Sequence, residues 1–183
     1  MPIIPGHEIM GRVMALGAGM THLKLGDRVG VPWLGWACGT CKFCQRGSEN
    51  LCGMARFTGY QIDGGYASET TADARFVFPL PDGYSDEEVG PLMCAGVIGW
   101  RALKMAGPAS RLGLYGCGAA AHIVAQVAKL QSRVVRRFSP SCDRAMTRRA
   151  TSHLQWALSG RVGRIMRRRT RSMRRLSLLR VES

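Results

Sequence analysis

The sequence predicts an α/β chain: short strands of a β-barrel come first, and the opening of a parallel-sheet fold follows. Three observations carry this expectation. Apolar and small residues alternate between glycines over residues 9–31, and strand-like runs return over 59–80. Four cysteines fall within fifteen residues, Cys38 to Cys52. A glycine-rich turn at 113–118 joins an apolar stretch to a helical pattern. Alternation of period two marks half-buried strands, and glycines at the breaks supply turns.

In order along the chain, Gly11, Gly17, Gly19, Gly26 and Gly30 punctuate the first strands. Residues 32–58 read as a cysteine lobe that is mostly loop, and strands resume around Tyr60 to Ile62, Tyr66 to Thr70 and Phe76 to Pro79. Pro79, Pro81 and Gly83 mark a turn. Ser85 is placed to cap a helix whose first turn holds Glu87 and Glu88, where acidic groups favour the helix dipole. Helical patterning then runs from Val89 to Met105 with Cys94 inside it, and Pro108 ends it. A strand at Leu112 to Tyr115 leads into a helix carrying Ile123, Val124, Val127 and Leu130 on one face.

Cys38, Cys41, Cys44 and Cys52 form Cys-x2-Cys-x2-Cys-x7-Cys. Zinc takes four soft ligands at tetrahedral corners, and closely spaced cysteines on a looping backbone provide them. Lys42 and Arg46 lie nearby to offset a doubly negative tetrathiolate. Two disulfides are the competing reading. A closed four-cysteine site holds a loop in shape and does no chemistry itself. A second metal-suited set is split along the chain: His7 and Glu8 after Pro5-Gly6, and Cys94 in Pro91-Leu92-Met93-Cys94-Ala95-Gly96. A catalytic zinc keeps three protein ligands and one open position. Gly116, Gly118 and Ala121 satisfy Gly-x-Gly-x-x-Ala, in which the first glycine permits a tight turn, the second lets backbone N–H groups approach a pyrophosphate, and the small third residue lets the helix pack on its strand.

Pro5-Gly6-His7-Glu8, Gly26-Asp27-Arg28-Val29, the cysteine quartet, Asp63-Gly64-Gly65-Tyr66-Ala67, Cys94-Ala95-Gly96 and the glycine turn occur in one order. From about Pro2 to Leu130 the chain resembles the zinc-dependent alcohol dehydrogenases of the medium-chain dehydrogenase/reductase family. The resemblance implies a GroES-like catalytic domain over 1–85 with a zinc lobe at 32–58, then the start of a Rossmann NAD(P)-binding domain over 86–130. It implies that His7 and Cys94 ligate a catalytic zinc with Glu8 beside it, that the quartet holds a structural zinc, and that Gly116, Gly118 and Ala121 bind NAD or NADP. It also implies hydride transfer between an alcohol and its aldehyde. Trp33 and Trp36 flank the lobe as pocket walls or as plain packing. The family's first catalytic zinc ligand, a cysteine, and its proton-relay residues precede Pro-Gly-His-Glu, so a chain starting at Met1 is expected to be truncated and impaired. The residue that reads the cofactor ribose falls near Phe138.

Charge separates the tail from the body. The formal net charge is +14, and residues 131–183 hold fifteen arginines against Asp143 and Glu182, whereas residues 1–130 are close to neutral. This tail is expected to be disordered or read out of frame, because CGN arginine codons shifted by two bases encode Ala, Pro, Ser or Thr. Two other functions compete with a dehydrogenase. One is a zinc-binding module with an arginine-rich nucleic-acid-binding tail, since arginine clusters neutralise phosphates; the other is a non-functional remnant. No apolar run is long enough to span a bilayer. With no signal peptide ahead of the cysteines, the expected setting is the cytoplasm, with a small alcohol or aldehyde as partner, neither membrane nor nucleic acid, and homo-oligomerisation left open.

Overall fold

The computed structural model describes residues 2–116, 118–137 and 178–182. The described residues fall into two compact units, 2–94 with 178–182, and 95–116 with 118–137.

The first unit is built on a five-stranded antiparallel sheet. Its strands are β1 (Ile9–Leu16), β2 (Arg28–Val31), β5 (Glu69–Asp73), β6 (Phe78–Pro79) and β9 (Leu178–Glu182), ordered β5-β9-β1-β2-β6. Along β1 the alternation holds: Ile9, Gly11 and Val13 are buried while Arg12 and Met14 face out. Ile9 lies opposite Val31 and Val13 opposite Val181, with a bulge between Val13 and Ala15. The core under the sheet comprises Ile9, Val13, Leu23, Val29, Val31, Ala72, Ala74, Val77 and Val181. Two further strands, β3 (Leu34–Trp36) and β4 (Arg56–Phe57), pair antiparallel at the base of the cysteine lobe.

Several details differ from expectation. Tyr60 to Ile62 is a turn, tied by Gly59 N–H to Ile62 C=O (2.7 Å) and by Gln61 and Ile62 N–H to Phe57 C=O. The strand expected at 66–70 begins at Glu69, because Gly64, Gly65 and Tyr66 spend their N–H groups on the chain around Pro5. Cys94 is not inside a helix. A short helix α2 (Asp86–Val89) gives way to a 3-10 turn, Gly90–Met93, and Cys94 stands at the joint before α3 (Ala95–Met105). Pro91 has no N–H to donate and crowds the carbonyl of residue 87, which tightens the chain there. Ser85 caps α2 as expected, and Glu88 completes a capping box.

The second unit is α3 followed by a strand–helix–strand. The strands β7 (Arg111–Leu114) and β8 (Val134–Arg137) are parallel, joined by α4 (Ala119–Leu130). Leu103, Val124, Val127 and Ala128 form its core with Trp100, Leu112, Ile123 and Val135 packed on them. Within the tail expected to be disordered or out of frame, Val134–Arg137 and Leu178–Glu182 are strands; the arginine-rich run between them lies outside the described residues. No described helix is long and apolar enough to cross a membrane.

Candidate metal centres

The lobe brings its four cysteines to one point by local turns. Cys41 stands at the N-terminus of α1 (Lys42–Gln45), Cys44 lies within α1, and Cys52 ends a 3-10 turn at Glu49–Leu51. All four are free thiols rather than disulfide partners. Their sulfurs lie within 4.8 Å of one another. The Cys38–Cys44, Cys41–Cys44 and Cys38–Cys52 separations are 3.9, 3.6 and 3.6 Å. A tetrahedron with Zn–S bonds of about 2.3 Å has edges of about 3.8 Å, and these three separations match it. Backbone N–H groups of Cys41 and Met54 donate to the sulfurs of Cys38 and Cys52, at 3.4 Å each.

The thiols are electrostatically unequal. Cys38 is lowered to about 6, first by the Thr40 and Cys41 backbone N–H groups and then by the Thr40 hydroxyl. Cys44 is raised to about 12 because burial disfavours its charge, although the Gly39 N–H bonds its sulfur. One thiolate thus forms readily at Cys38, and a cation is needed to draw Cys44 into that state. Lys42 and Arg46 both lie over the Phe43 ring, with their charged groups 5.2 and 4.8 Å from its centre.

The second cluster joins distant parts of the chain. The ligand atoms of His7, Glu8 and Cys94 lie within 4.8 Å of one another. Nitrogen, carboxylate oxygen and thiol sulfur together are a donor set that zinc accepts. The Cys94 thiol is raised, first by burial and then by the neighbouring Glu8 charge. A cation among the three would reverse that repulsion. Trp33 meets the His7 ring edge-on at 5.0 Å and stacks on Phe57 and Tyr60 at 5.0 and 6.2 Å. An open cleft of ≈ 740 Å³ runs along residues 5–10 and is closed at its sides by Gly65, Tyr66, Asp86 and Glu87.

The segment carrying His7 is clamped by main chain. Gly64 N–H donates to Ile4 C=O (2.7 Å), Gly65 N–H to Gly6 C=O (3.1 Å), and Tyr66 N–H to Pro5 C=O (3.0 Å). The Asp63 carboxylate accepts from Ile4 N–H at 3.0 Å. A methyl group added at Gly64 would stand 2.6 Å from the Pro5 carbonyl oxygen, so only glycine allows this approach. The Asp63-Gly64-Gly65-Tyr66 run is visible in the sequence, but its clamping task is not. The contact of Trp33 with His7 was likewise out of reach. The two glycines close together were the available signal for a close backbone approach.

In the second unit, Gly116 has φ +91 and Gly118 stands at the N-terminus of α4, with open space where a side chain would be at both. Ala121 lies in the first turn of α4. This is the strand–turn–helix that a phosphate-binding turn requires. Phe138 lies outside the described residues.

Residues 1–82 match the alcohol dehydrogenase GroES-like domain. Mycobacterium tuberculosis AdhA, named "probable alcohol dehydrogenase", is 52% identical over 136 residues, covering 70% of this chain and 39% of its own length. By these two matches the chain is similar to the alcohol dehydrogenases. Solved alcohol dehydrogenases agree in fold. CAD from Helicobacter pylori, complexed with NADP(H), matches with TM-score 0.70 and 28% identity over 80% of this chain and 46% of that one. A cobalt- and zinc-bound thermostable alcohol dehydrogenase from Pyrobaculum aerophilum matches with TM-score 0.70 and 26% identity over 86% of this chain and 46% of that one. The chain spans less than half the length of each of these alcohol dehydrogenases. Nothing in these likenesses supports the nucleic-acid-binding alternative.

Proposed function

We propose that this chain contributes to a zinc-dependent alcohol dehydrogenase that exchanges hydride between an alcohol/aldehyde pair and NAD or NADP. The observation that carries the reading is the meeting of His7 and Glu8, which line the cleft, with Cys94, far along the chain. His7 and Cys94 would hold a catalytic zinc, and Glu8 would adjust its charge from beside it. When bound, zinc supplies Lewis acidity toward the substrate oxygen and nicotinamide accepts or returns the hydride.

The chain's own residues do the positioning. Trp33 restricts the His7 ring, and the Asp63–Tyr66 clamp holds residues 4–6 so that His7 and Glu8 keep their direction. Gly116 and Gly118 leave room for a pyrophosphate against the backbone, and the N-terminus of α4 offers its N–H groups and partial positive charge. Cys38, Cys41, Cys44 and Cys52 would hold a structural zinc. The five-stranded sheet is read as the wall of a GroES-like barrel, and β7–α4–β8 as the first unit of a Rossmann domain.

Metal analysis of the purified full chain with NADH and NADPH titration tests this reading. It requires two zinc per chain, one lost in His7→Ala and the other in Cys52→Ser, with cofactor fluorescence rising on binding. Zinc content indifferent to His7→Ala would overturn the catalytic site.

A further inference from the structure

The ion pair between Asp73 and Arg75 sits beside the cysteine lobe, and none of the readings above uses it. Asp73 ends β5 and its side chain is 3% exposed; that of Arg75 is 15% exposed. The Asp73 carboxylate receives Arg75 Nε at 3.0 Å and Nη2 at 2.6 Å, a two-pronged pairing that fixes the guanidinium plane. The same carboxylate accepts the Arg75 backbone N–H at 3.0 Å, so both ends of the residue are anchored. From that anchor Nη2 donates to the Ala37 carbonyl at 3.1 Å. Nη1 stands 3.2 Å from where a Gly39 side chain would begin. Gly39 has φ +75, which glycine adopts readily and other residues rarely. The guanidinium therefore braces both sides of Cys38, on the turn whose Gly39 N–H bonds the Cys44 sulfur. Phe76, the next residue, is buried in the lobe core with Ala37, Cys44 and Cys52.

We propose that Arg75 is a positioning residue for the lobe metal: held flat by Asp73, it brackets the Ala37–Gly39 turn so that Cys38 and the Gly39 N–H stay aimed at the ion. This rests on the reading of the quartet as a metal site. Because Asp73 neutralises the guanidinium locally, what Arg75 brings to the lobe is its rigid fork more than its charge. Lysine, a point charge on a flexible stem, does not replace such a fork. Groups that orient metal ligands from behind typically change metal affinity by 10–100-fold when lost.

The test is the rate at which excess chelator takes zinc from the full chain, comparing wild type, Arg75→Met, Arg75→Lys and Asp73→Asn. The lobe ion is identified as the one absent in Cys52→Ser. Both Arg75 variants are expected to release it about 10–100-fold faster. Release of the ion lost in His7→Ala should stay at the wild-type rate, which general loosening of the fold would not allow. In cobalt-loaded protein, the thiolate charge-transfer band of the four-sulfur site should change in the same variants. Arg75→Lys releasing at the wild-type rate would overturn the bracket. Should Arg75→Met fail to fold, Asp73→Asn decides: faster lobe release supports the proposal and unchanged release refutes it. Wild-type protein with no metal sensitive to Cys52→Ser would sink the metal reading itself, a distinct result.

Discussion

Replacing Gly64 with alanine probes how the cleft segment is held. The added methyl would lie 2.6 Å from the Pro5 carbonyl oxygen and 2.7 Å from the Pro5 carbonyl carbon. Both are backbone atoms, so no side-chain rotation relieves the overlap. The chain must move apart, loosening the Gly64–Ile4, Gly65–Gly6 and Tyr66–Pro5 hydrogen bonds together. Overpacking of this kind costs about 1–3 kcal/mol. Taking roughly 2 kcal/mol and about 4 °C per kcal/mol for a domain of this size, the midpoint should fall by about 8 °C. Gly53 provides the control, since its φ is ordinary and open space surrounds it. Gly53→Ala should change stability by less than about 0.5 kcal/mol. Thermal unfolding followed by circular dichroism reads both, and metal analysis should show Gly64→Ala retaining the quartet's zinc while weakening the ion at His7. Equal midpoints for the two variants would refute the clamp.

Other outcomes follow from the same structure. In metal-free protein, Cys38 should react with iodoacetamide along a titration centred at about pH 6, while Cys44 stays protonated and slow at neutral pH. Because the fold lowers the Cys38 pKa below its ordinary value, the stability this contributes is present above the ordinary thiol range and lost as pH falls through about 6; Cys38 and Cys44 reacting alike would contradict this. Ser85→Ala removes one half of the α2 capping box and should cost about 1 kcal/mol in chemical denaturation. Asp86→Asn breaks the ion pair with Arg28, in which the Asp86 side chain is 57% exposed, and should cost less than about 1 kcal/mol by the same measurement. Val181→Ala opens a void under β9, where Val181 is fully buried, and should cost about 1–3 kcal/mol.

What the sequence revealed follows from how locally each feature is encoded. The quartet was legible because its ligands lie on one short looping stretch and zinc chemistry dictates their type. His7 and Cys94 were legible only through resemblance, since no spacing rule joins residues so far apart. The clamp was hidden because its bonds are main chain to main chain and carry no residue signature beyond Gly64 and Gly65. Strands were misplaced at Tyr60–Ile62 and Tyr66–Thr70 because aromatic and small residues look alike in a sheet and in a turn that wraps a neighbouring segment. Apolar periodicity runs across Pro91, so the pattern alone puts Cys94 inside a helix. The strand Leu178–Glu182 was masked by arginines on its N-terminal side, whose charge outweighed the short apolar alternation. Asp73 and Arg75 gave no signal, for an ion pair two residues apart on a strand end is common on protein surfaces.

X-ray absorption at the zinc edge, on chain loaded to saturation, is the most direct test of two unlike metal sites. A four-sulfur site and a site with a single sulfur average to about 2.5 sulfur neighbours per zinc at about 2.3 Å, with nitrogen and oxygen making up the remainder. His7→Ala should raise that average toward four. A zinc environment without sulfur, or sulfurs at 38, 41, 44 and 52 found joined in pairs, would contradict it.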